Sequence, residues 1–311
     1  MNSILSTFPL FEVVLRFFYW FINPLLNIKH TKTKKKIKTK HSRPDVDNFF
    51  LNLKSIGIEN GDALLIHTSS EVLEFLNLQP NIFIEKLYNL VGLEGAILVN
   101  TSRQYDYQMD SVFNKYKIFD IDILYEPKKT TVSTGIIPYA LLRRKDSKCS
   151  FYPINSICGI GGRVKEFLEY DQLKDYSTFS DINSVWYKLY KDNVKVFCFG
   201  IQFENCCTVM HVAEDIRYTD GENYSKWYYL RKFNIKIDDK IKSIYIRHLK
   251  PIFGKIFYCR YKFRSDMIVS GVVKIFNNEG FLIEYYNCNE FVNKIIDNKN
   301  PKYPYFYTKL I

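Results

Sequence analysis

Short apolar runs alternate with segments of helical periodicity between residues 46 and 100, and this alternation constrains the fold more than any other feature. Apolar residues recur every three or four positions over residues 46–56 and 81–91, and a glycine follows each segment. Each segment precedes a run typical of a buried strand, at residues 63–67 and 96–99. Strands that alternate with helices indicate a layered sheet, so we predict an α/β fold.

The same alternation continues to about residue 225 and then changes. Further helices are predicted over residues 134–144, 163–169 and 180–190, the last with Ser180 or Asp181 as its N-cap. Beyond residue 225 the pattern predicts strands over residues 227–231, 243–247 and 267–273. We therefore expect residues 45–311 to form a single layered α/β/α domain with a central mixed sheet and a more β-rich C-terminal part.

A strand, a turn and a helix over residues 194–215 bring together three side chains that can move a proton. An apolar run predicts a buried strand, and a polar turn leads to a helix that begins at about Cys207. On such a helix Thr208, His211 and Glu214 lie at i, i+3 and i+6 and face one side. The carboxylate can orient the imidazole, the imidazole can accept a proton, and the hydroxyl can stabilise developing charge.

The spacing of this trio also fits a solvated helix face, because a histidine and a glutamate three positions apart are common there. The neighbours favour a function. Val209, Met210, Val212 and Ala213 are apolar, so the segment should pack against the sheet. Partial desolvation favours the neutral, basic form of a histidine near pH 7.

Net charge and cysteine spacing limit the classes of function. The formal net charge is +11, and residues 29–43 carry seven lysines and one arginine. The remainder is close to balance, so a nucleic-acid-binding domain is not expected. The seven cysteines include no CxxC pair and no metal-like Cys/His spacing, so no metal site is expected. Their odd number, without a secretion signal, predicts free thiols in a reducing cytoplasm.

Residues 1–44 are predicted to be a leader separate from the domain. Residues 8–28 are apolar and aromatic, but Pro24 is expected to interrupt a helix before it could cross a bilayer. A helix at an anionic membrane surface, with the whole of residues 8–43 as the contact, fits this pattern. That arrangement predicts a cytoplasmic protein that is peripheral on the inner face of the membrane. The alternative is packing on the domain or on a second subunit of a homo-oligomer.

Five segments, in order, resemble the motifs of the aminoglycoside 3-N-acetyltransferase family, whose members are acetyl-CoA-dependent and do not have the GNAT fold. The resemblance spans about residues 46–290 and rests on residues 61–70, 91–100, 125–135, 150–162 and 197–215. The chain departs from the family's motifs at three single positions and in the approach to the helix near residue 180, which reads Ser177-Thr-Phe-Ser-Asp181 where the family has Gly-x-Gly-Ser-Pro. Tyr152 stands where the family has histidine, Glu126 where it has aspartate, and Cys149 where it has arginine.

The resemblance implies a role for each member of the trio. His211 would be the general base that accepts a proton from the substrate amine. Glu214 would orient His211, and Thr208 would support the oxyanion. An ammonium group cannot attack a thioester, so a base must supply the free amine.

The resemblance also implies sites for the acyl donor, acetyl-CoA. His67, Ser69 and Ser70 would lie at a strand end near the pantetheine arm, and Ser150 and Ser156 would make further cofactor contacts. For His67, a capping or turn histidine is the alternative.

From the resemblance and the charge pattern we expect an acetyl-CoA-dependent N-acyltransferase acting on an amino sugar that is nucleotide- or lipid-linked. A basic chain suits an anionic or membrane-presented acceptor, which favours surface-polysaccharide biosynthesis. Aminoglycoside modification, a form of antibiotic resistance, is the alternative, and it would require an acidic pocket for a polycationic drug. A non-catalytic membrane-surface scaffold is a third hypothesis, which Cys149 and Tyr152 would support.

Overall fold

The computed structural model describes residues 2–26, 44–105, 119–218, 227–300 and 303–305. Its strands, in chain order, are β1 (Ala63–Thr68), β2 (Ala96–Asn100), β3 (Phe119–Tyr125), β4 (Lys148–Cys149), β5 (Ile157–Gly161), β6 (Lys195–Phe199), β7 (Tyr228–Ile237), β8 (Lys240–Leu249), β9 (Lys274–Asn278) and β10 (Phe281–Asn287).

Helices precede, connect and follow these strands. The α-helices are α1 (Asn2–Thr7), α2 (Pro9–Leu26), α3 (Val46–Ser55), α4 (Glu71–Leu76), α5 (Pro80–Val91), α6 (Ile136–Arg143), α7 (Val164–Glu169), α8 (Val185–Lys191), α9 (Met210–Tyr218), α10 (Arg260–Val269) and α11 (Cys288–Ile296). A short 3₁₀ helix covers Phe203–Asn205, and a π-helical turn covers Phe253–Phe257.

The central sheet has seven strands in the order β4-β5-β2-β1-β6-β10-β9. Strand β1 pairs in parallel with β2 on one side and with β6 on the other. These three parallel strands are apolar and almost wholly buried, as expected for strands covered on both faces. Because parallel strands end at one edge, the chain segments after β1, β2 and β6 come together there.

Side chains of the parallel strands alternate between two apolar cores. Leu65 and Val196 face a core that contains α7 to α11 and the smaller sheet. Leu64 and Phe197 face the other core, which contains α3 to α6. The layered α/β/α architecture and the mixed sheet predicted from the sequence are thus confirmed.

A smaller sheet of three strands, in the order β3-β7-β8, packs on one of these cores. Strands β7 and β8 form a long antiparallel hairpin, and β3 pairs in parallel with β7. Phe233, Ile235, Ile244 and Ile246 of the hairpin are buried in the core. The C-terminal part is therefore β-rich, as predicted, although it also contains α10 and α11.

One predicted helix start and one predicted element type are wrong in this part of the fold. Helix α8 begins at Val185 with Ser184 as its N-cap, because the Ser180 hydroxyl instead donates to the buried Asp215 carboxylate. The predicted strand at residues 267–273 overlaps the end of α10, whose Phe263 and Met267 are buried one helical turn apart. Short apolar runs do not by themselves distinguish a buried helix from a strand.

The apolar leader folds as two helices that pack against the domain. Helix α1 contacts α10, and α2 contacts residues 253–257. The predicted break at Pro24 is wrong, because α2 continues to Leu26. A proline in the last helical turn removes a single backbone hydrogen bond. None of the described helices is long and apolar enough to cross a membrane.

The boundary between leader and domain remains a prediction. Asp45 caps α3 through its carboxylate, which accepts from the backbone N–H groups of Asp47 and Asn48. The Lys-rich segment at residues 29–43 lies outside the described residues.

Cys149 and Cys158 form a disulfide, so the prediction of free thiols is wrong for these two residues. They face each other directly on the antiparallel strands β4 and β5, a register that sequence spacing does not reveal. Their Cα atoms lie 4.1 Å apart. Cys198, Cys206, Cys207 and Cys288 are not disulfide-bonded.

Candidate active site

The turn after β6 lies against the end of β1. The Ser69 N–H donates to the Phe199 carbonyl at 2.9 Å, which joins the ends of the two strands. Gly200 follows with φ of +66°, and a Cβ there would lie 2.5 Å from the Ser69 Oγ. The left-handed backbone and the close approach therefore both require glycine.

A buried ionic cluster holds the next turn in place. The N–H of Phe203 donates to the Glu284 carboxylate at 2.8 Å, and Arg264 pairs with Glu204 at 2.6 Å. Arg264 also pairs with Glu284. These contacts attach the 3₁₀ turn to β10 and α10, so the segment that carries the predicted trio has a fixed position.

Helix α9 begins at Met210, later than predicted, so Thr208 precedes the helix rather than lying within it. The backbone still turns tightly there, since the His211 N–H donates to the Thr208 carbonyl at 3.2 Å. His211 and Glu214 both lie on α9. The Nδ1 of His211 is 2.9 Å from Oε2 of Glu214.

The Glu214 carboxylate changes the acid–base behaviour of His211. The His211 side chain is 13 % exposed and the Glu214 side chain 1 %. Burial alone would lower the pKa of His211, but the charge and the hydrogen bond of Glu214 outweigh it and raise the pKa above 6.5. A hydrogen bond from Nδ1–H to the carboxylate leaves Nε2 as the basic nitrogen.

Aromatic residues from distant parts of the chain enclose this pair. The Tyr228 hydroxyl donates to Glu214 at 3.3 Å, and the Tyr305 hydroxyl lies 3.3 Å from His211 Nδ1. Phe179 meets the imidazole edge to face at 5.2 Å between ring centroids. These contacts fix the ring plane and limit the access of water to the pair.

Thr208 has a partner that the sequence patterns did not single out. The side-chain amide of Asn100, at the end of β2, donates to Thr208 Oγ1 at 3.1 Å. The hydroxyl of Ser102 in turn donates to the Asn100 amide oxygen at 3.1 Å. Because Thr208 accepts from Asn100, its own O–H remains available to donate elsewhere.

Two clefts meet at Thr208, and both are also lined by Asn205 and Cys206. The larger cleft has a volume of about 610 Å³, and the smaller cleft a volume of about 180 Å³. Residues that line the larger cleft include His67, Ser69, Ser70, Asn100, Ser133, Thr134 and Gly135. Residues that line the smaller cleft include Met210, His211, Gly254, Tyr258 and Tyr305.

His67 differs from His211 in having no carboxylate neighbour. It is 8 % exposed, and burial lowers its pKa to about 4, so the imidazole is neutral at pH 7. Its Nε2 atom has no hydrogen-bond partner among the described residues. A buried polar atom in this state favours a ligand that can supply the missing hydrogen bond.

The structure places Ser150 and Ser156 inside the domain. The Ser150 hydroxyl donates to Asp171 and accepts from the Tyr152 N–H at 2.9 Å. The Ser156 hydroxyl accepts from the Tyr125 hydroxyl at 2.9 Å. Both serines are buried, and neither lines the larger or the smaller cleft. Their predicted contact with a cofactor stays a prediction.

Local patterns could have revealed some of the missed residues, but not all. Asn100 closes the apolar strand β2, and a polar residue at the end of a parallel strand is a signal of function. Tyr228 and Tyr305 give no such signal, because they reach Glu214 and His211 from 14 and 94 positions away.

The family of the chain follows from its sequence. Residues 65–244, more than half of the chain, match the family described as aminoglycoside 3-N-acetyltransferase. The chain belongs to the aminoglycoside 3-N-acetyltransferase family. The predicted family and the predicted enzyme class, an N-acetyltransferase, are thereby confirmed. A search of curated proteins gives no match.

Solved structures of aminoglycoside acetyltransferases have the same fold. AAC(3)-Xa superimposes with a TM-score of 0.64 at 17% identity, over 79% of this chain and 89% of that one. AAC-IIIb, solved as a binary complex with CoASH, superimposes with a TM-score of 0.63 at 17% identity, over 79% of this chain and 92% of that one. Sisomicin-bound AAC-VIa superimposes with a TM-score of 0.62 at 15% identity, over 81% of this chain and 96% of that one. At these identities the likeness establishes the fold alone.

Proposed function

We propose that this member of the aminoglycoside 3-N-acetyltransferase family transfers an acetyl group from acetyl-CoA to an amine of an amino sugar, with His211 as general base. The observation that carries the proposal is the His211–Glu214 pair beside Thr208, where the two clefts meet. A two-substrate transfer needs such a junction, because donor and acceptor must reach the same base from different sides.

His211 accepts the proton that the amine must lose. Its Nδ1–H is held by Glu214, so Nε2 is the nitrogen that takes the proton. The C–S bond of the thioester would break as the amide C–N bond forms, and the imidazolium would return the proton to the departing thiol sulfur. The Glu214 carboxylate also stabilises the imidazolium that forms. A pKa above 6.5 makes His211 a better base than an unpaired buried histidine would be.

Thr208 stabilises the charge that develops on the carbonyl oxygen under attack. Its hydroxyl hydrogen is available, because its oxygen accepts from Asn100. Asn100 also fixes the direction of that hydroxyl, which lowers the reorganisation needed during the reaction.

The larger cleft suits the acyl donor. Acetyl-CoA, when bound, would supply an activated acetyl group as a thioester. His67, Ser69 and Ser70 would make the predicted contacts along its pantetheine arm, and the unpartnered His67 Nε2 would gain a hydrogen bond. The N-terminus of α6, after Gly135, also lines this cleft and favours negatively charged groups. AAC-IIIb, with the same fold, was solved with CoASH.

The acceptor is better described as an aminoglycoside-type amino sugar than as a precursor of a surface polysaccharide. The family match carries the aminoglycoside description, and AAC-VIa was solved with sisomicin. Nothing in the fold or the family supports a polysaccharide pathway or a lipid-linked acceptor. The basic leader, on which that prediction rested, lies in sequence outside the matched residues 65–244.

The proposal is tested by mass spectrometry of products after incubation with acetyl-CoA and a panel of amines. The panel holds sisomicin, a second aminoglycoside and a nucleotide-linked amino sugar. We expect acetylation of the aminoglycosides and a loss of about 1,000-fold or more in kcat for His211→Ala. His41→Ala, a histidine substitution in the leader, serves as the matched control and should leave kcat unchanged.

Two results would contradict the proposal. Full turnover in His211→Ala would show that His211 is not the general base, although the protein would still be an acetyltransferase. Absence of acetyl-CoA binding in calorimetry would instead favour the non-catalytic scaffold.

A further inference from the structure

Helix α2 presents a broad apolar face to the outside of the molecule. Ten large hydrophobic side chains on or next to α2 are each between 40 % and 62 % exposed: Phe8, Leu10, Phe11, Val14, Leu15, Phe17, Phe18, Tyr19, Phe21 and Ile22. Soluble proteins rarely expose so many neighbouring large apolar groups, and such a patch marks an interaction site.

The opposite face of α2 is attached to the domain by its charged residues. The buried Glu12 carboxylate accepts from the backbone N–H groups of Arg260 and Tyr261, at 3.2 and 3.0 Å. These N–H groups open α10, where a negative charge is favourable. Arg16 pairs with Glu12 at 2.8 Å and donates to the Lys255 carbonyl at 3.2 Å.

This anchoring fixes which face of α2 can meet a partner. Lys255 also lies over the Trp20 ring, 4.5 Å from its centroid. Both charged residues of α2 therefore contact the domain, and the exposed positions of residues 8–22 are apolar apart from the Tyr19 hydroxyl. A helix held along its length by the domain lies flat on any surface that its outer face meets.

The width of the apolar face argues against pairing with a second helix. Phe8, Phe11, Leu15, Phe18 and Ile22 follow the three-and-four spacing of one coiled-coil seam, and Leu10, Val14, Phe17 and Phe21 follow the spacing of a second. Leu10 and Val14 extend the exposed apolar surface beyond the first seam. An aromatic face of this width is typical of helices that lie in the headgroup region of a bilayer.

The charge of the segment after α2 is a second argument for a lipid surface rather than a dimer. The sequence from residue 27 to residue 44 contains seven lysines and one arginine but no aspartate or glutamate. In a parallel dimer through α2, two such positive segments would follow the same end of the joined helices and repel each other. An anionic lipid surface would attract them, and each lysine near it adds to binding.

From these observations we propose that the outer face of α2 docks on an anionic lipid bilayer, with the helix in the plane of the surface. The apolar side chains enter the headgroup boundary, and the charged residues remain bound to the domain. This inference does not depend on the proposed function.

The test is co-sedimentation of the full chain with vesicles. We expect binding to vesicles of phosphatidylcholine and phosphatidylglycerol, and weaker binding to phosphatidylcholine alone or at high salt. Replacing Phe11 and Phe18 by glutamine removes two rings from the face, so the partition coefficient should fall about tenfold or more. The matched control replaces Leu51 and Ile82, two exposed apolar residues of α3 and α5, by glutamine and should bind normally.

Thermal unfolding separates loss of binding from loss of folding, because Phe11 and Phe18 are exposed and their replacement should leave Tm unchanged. The proposal is overturned if the wild-type chain sediments with neither vesicle, or if the Phe11/Phe18 variant binds as well as the wild type. It is also overturned if sedimentation velocity without lipid shows a dimer that the same variant converts to a monomer. A second copy would then cover the face.

Discussion

Two histidines that line the clefts at Thr208 have opposite acid–base behaviour. His67 lies on β1, and His211 lies on the helix that follows the neighbouring strand β6. Burial lowers the pKa of His67 to about 4. Burial also acts to lower the pKa of His211, but the Glu214 carboxylate outweighs it and raises the pKa above 6.5. Burial alone therefore does not make a base, and the paired carboxylate decides the difference.

The difference in pKa also suits His67 and His211 to different roles. A neutral imidazole that resists protonation is a stable hydrogen-bond partner for a ligand, whereas an imidazole with a raised pKa takes up a proton readily. The donor side of the proposed reaction thus has a histidine with a lowered pKa, and the acceptor side has one with a raised pKa.

Removing the charge of Glu214 should make His211 resemble His67. In Glu214→Gln, the pKa of His211 falls, so the acid limb of the kcat/KM profile moves to lower pH. The limb moves in this direction because a base is active only above its pKa. Loss of the oriented imidazole should lower kcat on the order of 1,000-fold. Steady-state kinetics between pH 5 and pH 9 measure both effects.

Glu290→Gln on α11 is the matched control for this substitution, because Glu290 is exposed and outside both clefts. It should leave the profile unchanged. A Glu214→Gln enzyme with the wild-type acid limb would show that the carboxylate does not set the pKa of the base.

Thr208 lines both the cleft that contains His67 and the cleft that contains His211, so its substitution tests whether the reaction occurs at that junction. Thr208→Val keeps the shape but removes the hydroxyl, and kcat should fall on the order of 100-fold with little change in the acid limb. Thr208→Ser restores a hydroxyl and should recover most of the rate. Equal rates for the valine and serine variants would assign Thr208 a packing role.

His67 should affect turnover least. His67→Gln keeps a polar side chain, so kcat should change little and the KM for acetyl-CoA should rise by up to about tenfold. A large fall in kcat with an unchanged KM would place His67 in the chemical step.

The free energy of unfolding gives a second test of whether His67 is neutral in the folded protein. Because the pKa of His67 is lowered, this free energy should decrease as the pH falls. Folding keeps His67 neutral, so its contribution is complete above pH 6.5 and is lost as pH falls toward 4, where only the unfolded chain takes up the proton. Relative to His67→Gln, the wild type should lose about 3 kcal/mol of unfolding free energy over that range. Urea titrations at pH 7 and pH 4 measure this difference. An equal loss in both proteins would mean that His67 is not held neutral.

The sequence was sufficient to predict the layers and the proximity of His211 to Glu214, because both depend on local patterns. The role of the trio in proton transfer stays a prediction. Apolar runs indicate parallel strands buried on two faces, and the segment from β6 to α9 is continuous in the chain. The trio keeps its proximity even though the helix begins at Met210 rather than Cys207. A tight turn before the helix holds Thr208 in place.

Contacts between distant segments could not be predicted in the same way. Tyr305 reaches His211 across 94 positions, and Cys149 pairs with Cys158 through strand register. The expected desolvation of His211 was also incomplete as an explanation. The direction of its pKa shift depends on the distance to Glu214, which a helical spacing suggests but does not fix.

Direct measurement of the two pKa values tests the central claim. The chain has five histidines, so the imidazole signals of a ¹⁵N-histidine-labelled protein can be assigned with His211→Ala and His67→Gln. We expect the His211 signal to titrate above pH 6.5, and the His67 signal to remain that of a neutral ring down to about pH 4. A His211 signal that titrates below pH 6.5, or two histidines that titrate together, would contradict the account.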